Sequence, residues 1–177
     1  MRKALLTLAG LALAAAPAAA AEKTITMNAI SASGIGPSIG TITARDTAQG
    51  LMLIPQLSGL SPPGPHGFHV HEKPDCGPGP GANGQPAPGM AAGGHYDPHK
   101  TGRHHGPHRD AAGHKGDLPP LVVNADGSAT LPVLAPRLKV RDLSGRALMI
   151  HAGGDNYADE PQPLGGGGGR IACGVVR

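Results

Sequence analysis

Gly67-Phe68-His69-Val70-His71-Glu72 carries two histidines two residues apart. Along a strand successive side chains alternate between faces, so His69 and His71 share one face and Phe68 and Val70 the other. One face can pack on a core while the other offers two imidazoles to a metal. Alone, such a pair is weak evidence, because a single histidine is more often solvated or held in a core. Further imidazoles follow at His95, His104, His114 and His151, with Asp117 close behind His114 and Arg170 close before Cys173. All ten histidines stand after residue 65. Imidazoles of this kind suit copper or zinc.

The elements that must position these residues read as short strands. Lys23 to Ile30 alternates Thr with apolar residues, and Ile35 to Thr43 and Leu51 to Leu57 follow. His66 to His71 is a fourth strand. Leu121 to Asn124 and Ala129 to Leu134 flank Ala125-Asp126-Gly127, a hairpin signal. Arg146 to Ile150 and Ile171 to Val176 complete about eight. No stretch has helical periodicity. Many short strands with Gly/Pro-rich turns argue for an antiparallel sandwich or barrel.

Two segments are too long to be ordinary turns. Residues 72–117 are dense in Gly, Pro and His, and residues 152–169 end in five glycines, Gly165 to Gly169. Such loops are usually functional or disordered. Within the first, Gly81 to Gly89 has the composition of a floppy insertion. A metal and a disulfide can order a loop that has no core of its own.

Residues 1–21 stand apart. Arg2 and Lys3 precede an apolar run from Ala4 to Ala16, and Pro17 and Ala18 to Ala21 supply small residues for cleavage. This reads as a signal peptide, which predicts export. The apolar run is short for a bilayer span, so no stable membrane anchor is expected. Residues 22–177 are then one domain. Removing the leader takes Arg2 and Lys3 and no acid, which leaves thirteen basic residues against twelve acidic ones, a net +1. With Phe68, Tyr96 and Tyr157 as the only aromatics and no long basic stripe, nucleic-acid binding is excluded. In an exported chain the lone pair Cys76 and Cys173 reads as a disulfide, two buried thiols being the alternative. Closing a loop of about a hundred residues stabilises a fold by roughly 4–5 kcal/mol, less any strain.

The motifs together resemble those of the copper- and zinc-containing superoxide dismutases of bacterial periplasms, over nearly all of the chain after the leader. His69 and His71 match the family's H-x-H pair. Gly94-His95-Tyr96-Asp97-Pro98, Arg103-His104-His105-Gly106-Pro107 and Gly113-His114-Lys115-Gly116-Asp117-Leu118 match its loop motifs. Met149-Ile150-His151 matches a strand end, and Arg170-Ile171-Ala172-Cys173-Gly174-Val175 matches R-x-A-C-G-V. The resemblance implies an all-β, eight-stranded antiparallel Greek-key β-barrel, an immunoglobulin-like sandwich, with two long functional loops.

It implies copper on His69, His71, His95 and His151, and zinc on His95, His104, His114 and Asp117, one ion of each per subunit, with His95 as the bridge. Asp155 becomes the carboxylate that holds His69 and His104. Superoxide is the implied substrate, dismuted to dioxygen and hydrogen peroxide, with Arg170 attracting the anion and His95 handling a proton. The implied location is the periplasm, and a homodimer is one assembly the pattern allows. His66 is expected to be structural. His99, His105 and His108 match no ligand position and are expected to be exposed. The long loop between Cys76 and His95 and the stretched spacing from His104 to His114 depart from the family without removing a ligand.

Overall fold

The structure is a computed structural model that describes residues 20–108 and 112–177. All but the last two residues of the expected leader therefore lie outside the described residues. Eleven strands follow in order. They are β1 (Glu22–Ser31), β2 (Gly34–Thr47), β3 (Gly50–Leu57), β4 (Gly64–His66), β5 (Phe68–His71), β6 (Gly79–Pro80), β7 (Pro86–Ala87), β8 (Leu121–Val123), β9 (Val133–Ala135), β10 (Arg146–His151) and β11 (Arg170–Val176). Among the described residues the helical elements are three short 3-10 turns, at Met90–Ala92, Val140–Leu143 and Pro163–Gly166. None is long and apolar enough to cross a membrane.

A seven-stranded antiparallel sheet runs β5-β10-β11-β1-β2-β3-β9, and β4 pairs with β8 apart from it. The architecture is all-β and antiparallel, with the main sheet curled as a half-barrel around the core. Alternation builds that core. Ile25 and Met27 of β1, Ile42 and Ala44 of β2, and Leu51 and Leu53 of β3 are all buried on one side. Each large aliphatic side chain removed from water contributes roughly 1.5–3 kcal/mol.

A second, smaller cluster lies on the other face of the sheet: Ile30, Cys76, Ala92, Ala147, Met149 and Cys173. Ile30 stands three residues after Met27, so alternation along β1 puts it on this face, beside the points where β2 carries extra residues against β1. Strand β10 is buried on both sides. Leu148 and Ile150 enter the main core, and Ala147 and Met149 lie under the first long loop. The disulfide between Cys76 and Cys173 pins that loop to β11 across 97 residues of sequence.

Three expectations change. The strand expected over His66 to His71 is two strands, because Gly67 breaks the pairing: β4 joins β8 and β5 joins β10. The hairpin expected at Ala125 to Gly127 is a tight turn, with Gly127 N–H on the Asn124 carbonyl and Asn124 N–H on the Ser128 carbonyl, but the strands beyond it do not pair with each other. Strand β8 goes to β4, and the next strand, Val133–Ala135, goes to β3; Ala129 makes only a bridge to Leu57. Gly81 to Gly89 is ordered by the small ladder β6–β7, closed by Gly81 N–H on the Gln85 carbonyl at 2.8 Å.

Candidate metal centre

Strand β5 is an edge strand, and an edge leaves backbone groups to be satisfied. Loop segments take them. Val70 N–H donates to the Gly116 carbonyl, Tyr96 N–H to Val70, Glu72 N–H to Gly94 and Leu118 N–H to Phe68. These bonds bring His95 opposite His71 and Asp117 opposite His69. Phe68 and Val70 fill the core, so the two β5 histidines face the other way. His151 ends β10, where its cross-strand partner is Arg170 at the start of β11.

His69, His71, His95 and His151 are all buried, and donor atoms of the four lie within 4.8 Å of one another. One nitrogen of each ring has a protein acceptor. His69 Nε2 is 2.8 Å from Asp155 Oδ2, His71 Nδ1 is 3.0 Å from the Gly93 carbonyl, and His151 Nδ1 is 3.3 Å from the Gly168 carbonyl. His95 Nδ1 is 3.0 Å from Asp117 Oδ1. The remaining nitrogens, His69 Nδ1, His71 Nε2, His95 Nε2 and His151 Nε2, are buried with no hydrogen-bond partner. A buried polar atom without a partner costs about 1–3 kcal/mol, so four in one place point to something that accepts their lone pairs. Burial, then the neighbouring His95, pushes the pKa of His69 and His71 well below the ordinary histidine value and His151 down to about 4. Burial also lowers His95. Neutral imidazoles converging on one point fit a copper ion.

The second group centres on Asp117. Its Oδ1 lies 3.0 Å from His95 Nδ1, 3.0 Å from His104 Nδ1 and 3.5 Å from His114 Nδ1. The His104 and His114 nitrogens are not aligned for a hydrogen bond. They are donor atoms turned towards a shared centre. One set of donor atoms within 4.8 Å of one another holds His69, His95, His104 and Asp117, and His114 is not in it. His69 Nε2 is already taken by Asp155, which leaves His114 as the third free nitrogen at Asp117. Three nitrogens and one carboxylate oxygen fit a closed tetrahedral zinc site. Burial opposes charge at both residues, yet three histidines hold the Asp117 carboxyl far below the usual carboxylate range. Asp117 and Asp155 likewise overcome burial to raise His104 to about 9.

Asp155 spans both groups. Its Oδ1 lies 2.7 Å from His104 Nε2 and its Oδ2 2.8 Å from His69 Nε2. The glycine run allows this approach. Gly165 has φ +74°, and a β-carbon there would collide with Asp155 Oδ1 and come within 2.7 Å of His104 Nε2. Asp159 adds an acceptor for the His104 backbone N–H at 3.1 Å. Arg170 is half-buried, and it donates to the Gly89 carbonyl at 2.6 Å and to Gly93 at 2.8 Å.

Among the other histidines, His66 is buried between carbonyls, with Nδ1 2.6 Å from His151 O and Nε2 2.7 Å from Pro62 O. His99 and His108 are exposed. His105 departs from expectation: it is half-buried, with Nδ1 shielded, on a cavity of about 490 Å³ that it lines with Pro107, His108, Asn156 and Tyr157.

The profile of the family described as Copper/zinc superoxide dismutase (SODC) matches residues 38–176. The chain belongs to the copper/zinc superoxide dismutase family. Superoxide dismutase (Cu-Zn) 1 of Salmonella typhimurium is 56% identical over 161 residues, which cover 89% of each protein. The corresponding Escherichia coli K12 protein is 49% identical over 178 residues, covering both in full. The structure of Cu/Zn superoxide dismutase from Brucella abortus superposes with a TM-score of 0.84 at 47% identity, over 89% of this chain and all of that one.

Within this copper/zinc superoxide dismutase fold, some contributors have no motif of their own. Gly89 and Gly93 act through carbonyls, which a sequence does not advertise. The available signal was glycine in a loop that must approach a neighbour closely: a β-carbon at Gly89 would come within 3 Å of Ile30 and Met149.

Proposed function

We propose that this chain dismutes superoxide, two anions and two protons giving dioxygen and hydrogen peroxide. In this reading copper is held by His69, His71, His95 and His151, and zinc by His95, His104, His114 and Asp117, one of each per subunit. The observation that carries it is the division of the His95 ring. Nδ1 faces the Asp117 group, and Nε2 is buried and unpartnered among the other three histidines. When bound, copper supplies the one-electron chemistry and zinc a redox-inert charge that fixes the shared ring.

The chain's own groups do the rest. Asp155, Gly93 and Gly168 each occupy the far nitrogen of a copper-facing ring and so fix its orientation and tautomer. His95 Nε2 is the atom that can hold a proton beside the reacting oxygen. The Arg170 guanidinium is anchored on one side by two carbonyls, and it offers a fixed positive charge to a small anion. Every proposed ligand comes from one chain, so a monomer completes the site and a homodimer is not needed for it.

The leader pattern over residues 1–21 supports a periplasmic location for the mature protein, and cell fractionation tests it. The activity is tested by metal analysis and superoxide decay on the purified mature protein. One copper and one zinc per chain with rapid catalysed decay is expected. Full metal loading without catalysed decay would make the chain a metal carrier on this fold.

A further inference from the structure

Arg137 follows β9 and belongs to none of the motifs above. Among the described residues its guanidinium donates to four main-chain carbonyls. Nε bonds Pro107 at 3.1 Å, Nη1 bonds Gly113 at 3.4 Å, and Nη2 bonds Gly106 at 3.0 Å and His114 at 2.5 Å. The acceptors form two pairs on two limbs of one loop. Gly106 and Pro107 follow His104, while Gly113 and His114 carry the next proposed zinc ligand. The limbs also touch where His114 N–H donates to the Arg103 carbonyl at 2.9 Å. Gly106 completes the link: its N–H donates to Asp117 Oδ2 at 3.3 Å while its carbonyl accepts from Arg137. One cation thus ties together the backbone around His104, His114 and Asp117.

The residue type matters. A guanidinium presents five N–H donors in a rigid plane and can serve several oxygens at once, whereas an ammonium is a point charge with three. Lysine at this place keeps the charge and loses the span.

We propose that Arg137 is a positioning residue for the zinc site, holding the two limbs at the separation where His104, His114 and Asp117 converge. Its bonds to the two limbs run to main-chain carbonyls. The inference rests on the zinc assignment above.

The test starts from metal-loaded wild type, Arg137→Met, Arg137→Lys and His104→Ala, with zinc drawn off by a chromophoric chelator. Cobalt(II) then replaces zinc, and its visible bands report the ligand geometry. Both Arg137 variants should bind zinc at least about tenfold more weakly, the usual scale for groups that orient ligands. Their cobalt bands should shift or weaken, while the melting temperature of the metal-free protein changes little. Zinc affinity within about threefold of wild type in both overturns the proposal, as does a loss matched by equal destabilisation of the metal-free protein. If Arg137→Met does not fold, Arg137→Lys alone decides. His104→Ala separates the two levels. Zinc retained there sinks the ligand assignment, while zinc lost there and kept in both Arg137 variants sinks only the role of Arg137.

Discussion

Arg170 and His71 share one acceptor: the Gly93 carbonyl oxygen takes Nη2–H of the first at 2.8 Å and Nδ1–H of the second at 3.0 Å. A proposed metal ligand and the proposed substrate-attracting cation are therefore positioned by one peptide of the first long loop. That loop is held to β11 by Cys76–Cys173, three residues beyond Arg170 in the same strand. Reducing the disulfide should loosen both residues together. Activity should fall before zinc is lost, because His104, His114 and Asp117 lie in the far part of that loop, which is tied to β5 by its own bonds, Val70 N–H on the Gly116 carbonyl and Leu118 N–H on Phe68. Parallel thiol titration, zinc analysis and superoxide decay check the order.

Arg170→Ala should keep both metals and slow turnover about tenfold, since one charge–anion contact is worth roughly 1–2 kcal/mol. Rising salt should slow the wild type more than the variant, because screening acts on the charge that has been removed. Equal rates at low salt would remove Arg170 from the account.

The histidine clusters were legible in the sequence because side chains able to hold a metal recur there at telling spacings, and the fold brings them together. His69 and His71 also revealed their face through the alternation with Phe68 and Val70. The strand breaks were not legible. Gly67 splits the expected fourth strand because its neighbours pair with different partners, β8 on one side and β10 on the other. The turn at Asn124–Ser128 looks like a hairpin locally, and only the partners of β8 and β9 reveal a crossing between sheets. Arg137 was not legible, because the partners named above are carbonyls, which every residue carries.

The metal-free protein should have a stability maximum near neutrality. His69, His71, His95 and His151 have lowered pKa values, so below about 6.5 the unfolded chain binds more protons and stability falls with acid. Asp117 and Asp155 are also depressed, and they add to the loss at still lower pH. His104 is raised to about 9, so its contribution is full below about 6.5 and disappears as pH climbs through about 9. Urea midpoints of the stripped protein across this range should rise and then fall. A midpoint still rising between about pH 7.5 and 9 would contradict the placement of His104 between two carboxylates.

Asp155→Asn should weaken both metals, because one carboxylate holds a ring from each group at 2.8 and 2.7 Å. The expected loss is about 10–100-fold in affinity. Chelator competition for copper and zinc separately reads it, and loss at one metal alone would break the proposed link between the sites.

Adjacent His104 and His105 are a test of register. His104→Ala should lower zinc occupancy, while His105→Ala should leave it near one per chain, since His105 faces a cavity rather than Asp117. Zinc lost from the second variant and kept in the first would shift the loop assignment by one residue.

In the proposed function one imidazole, His95, joins two different metals. Anomalous diffraction from the loaded protein, recorded on either side of the copper and zinc edges, tests it most directly. The account predicts one copper peak among His69, His71 and His151, one zinc peak among His104, His114 and Asp117, and the His95 ring between them. Both metals on one side of His95, or zinc ligated by His69 in place of His114, would contradict it.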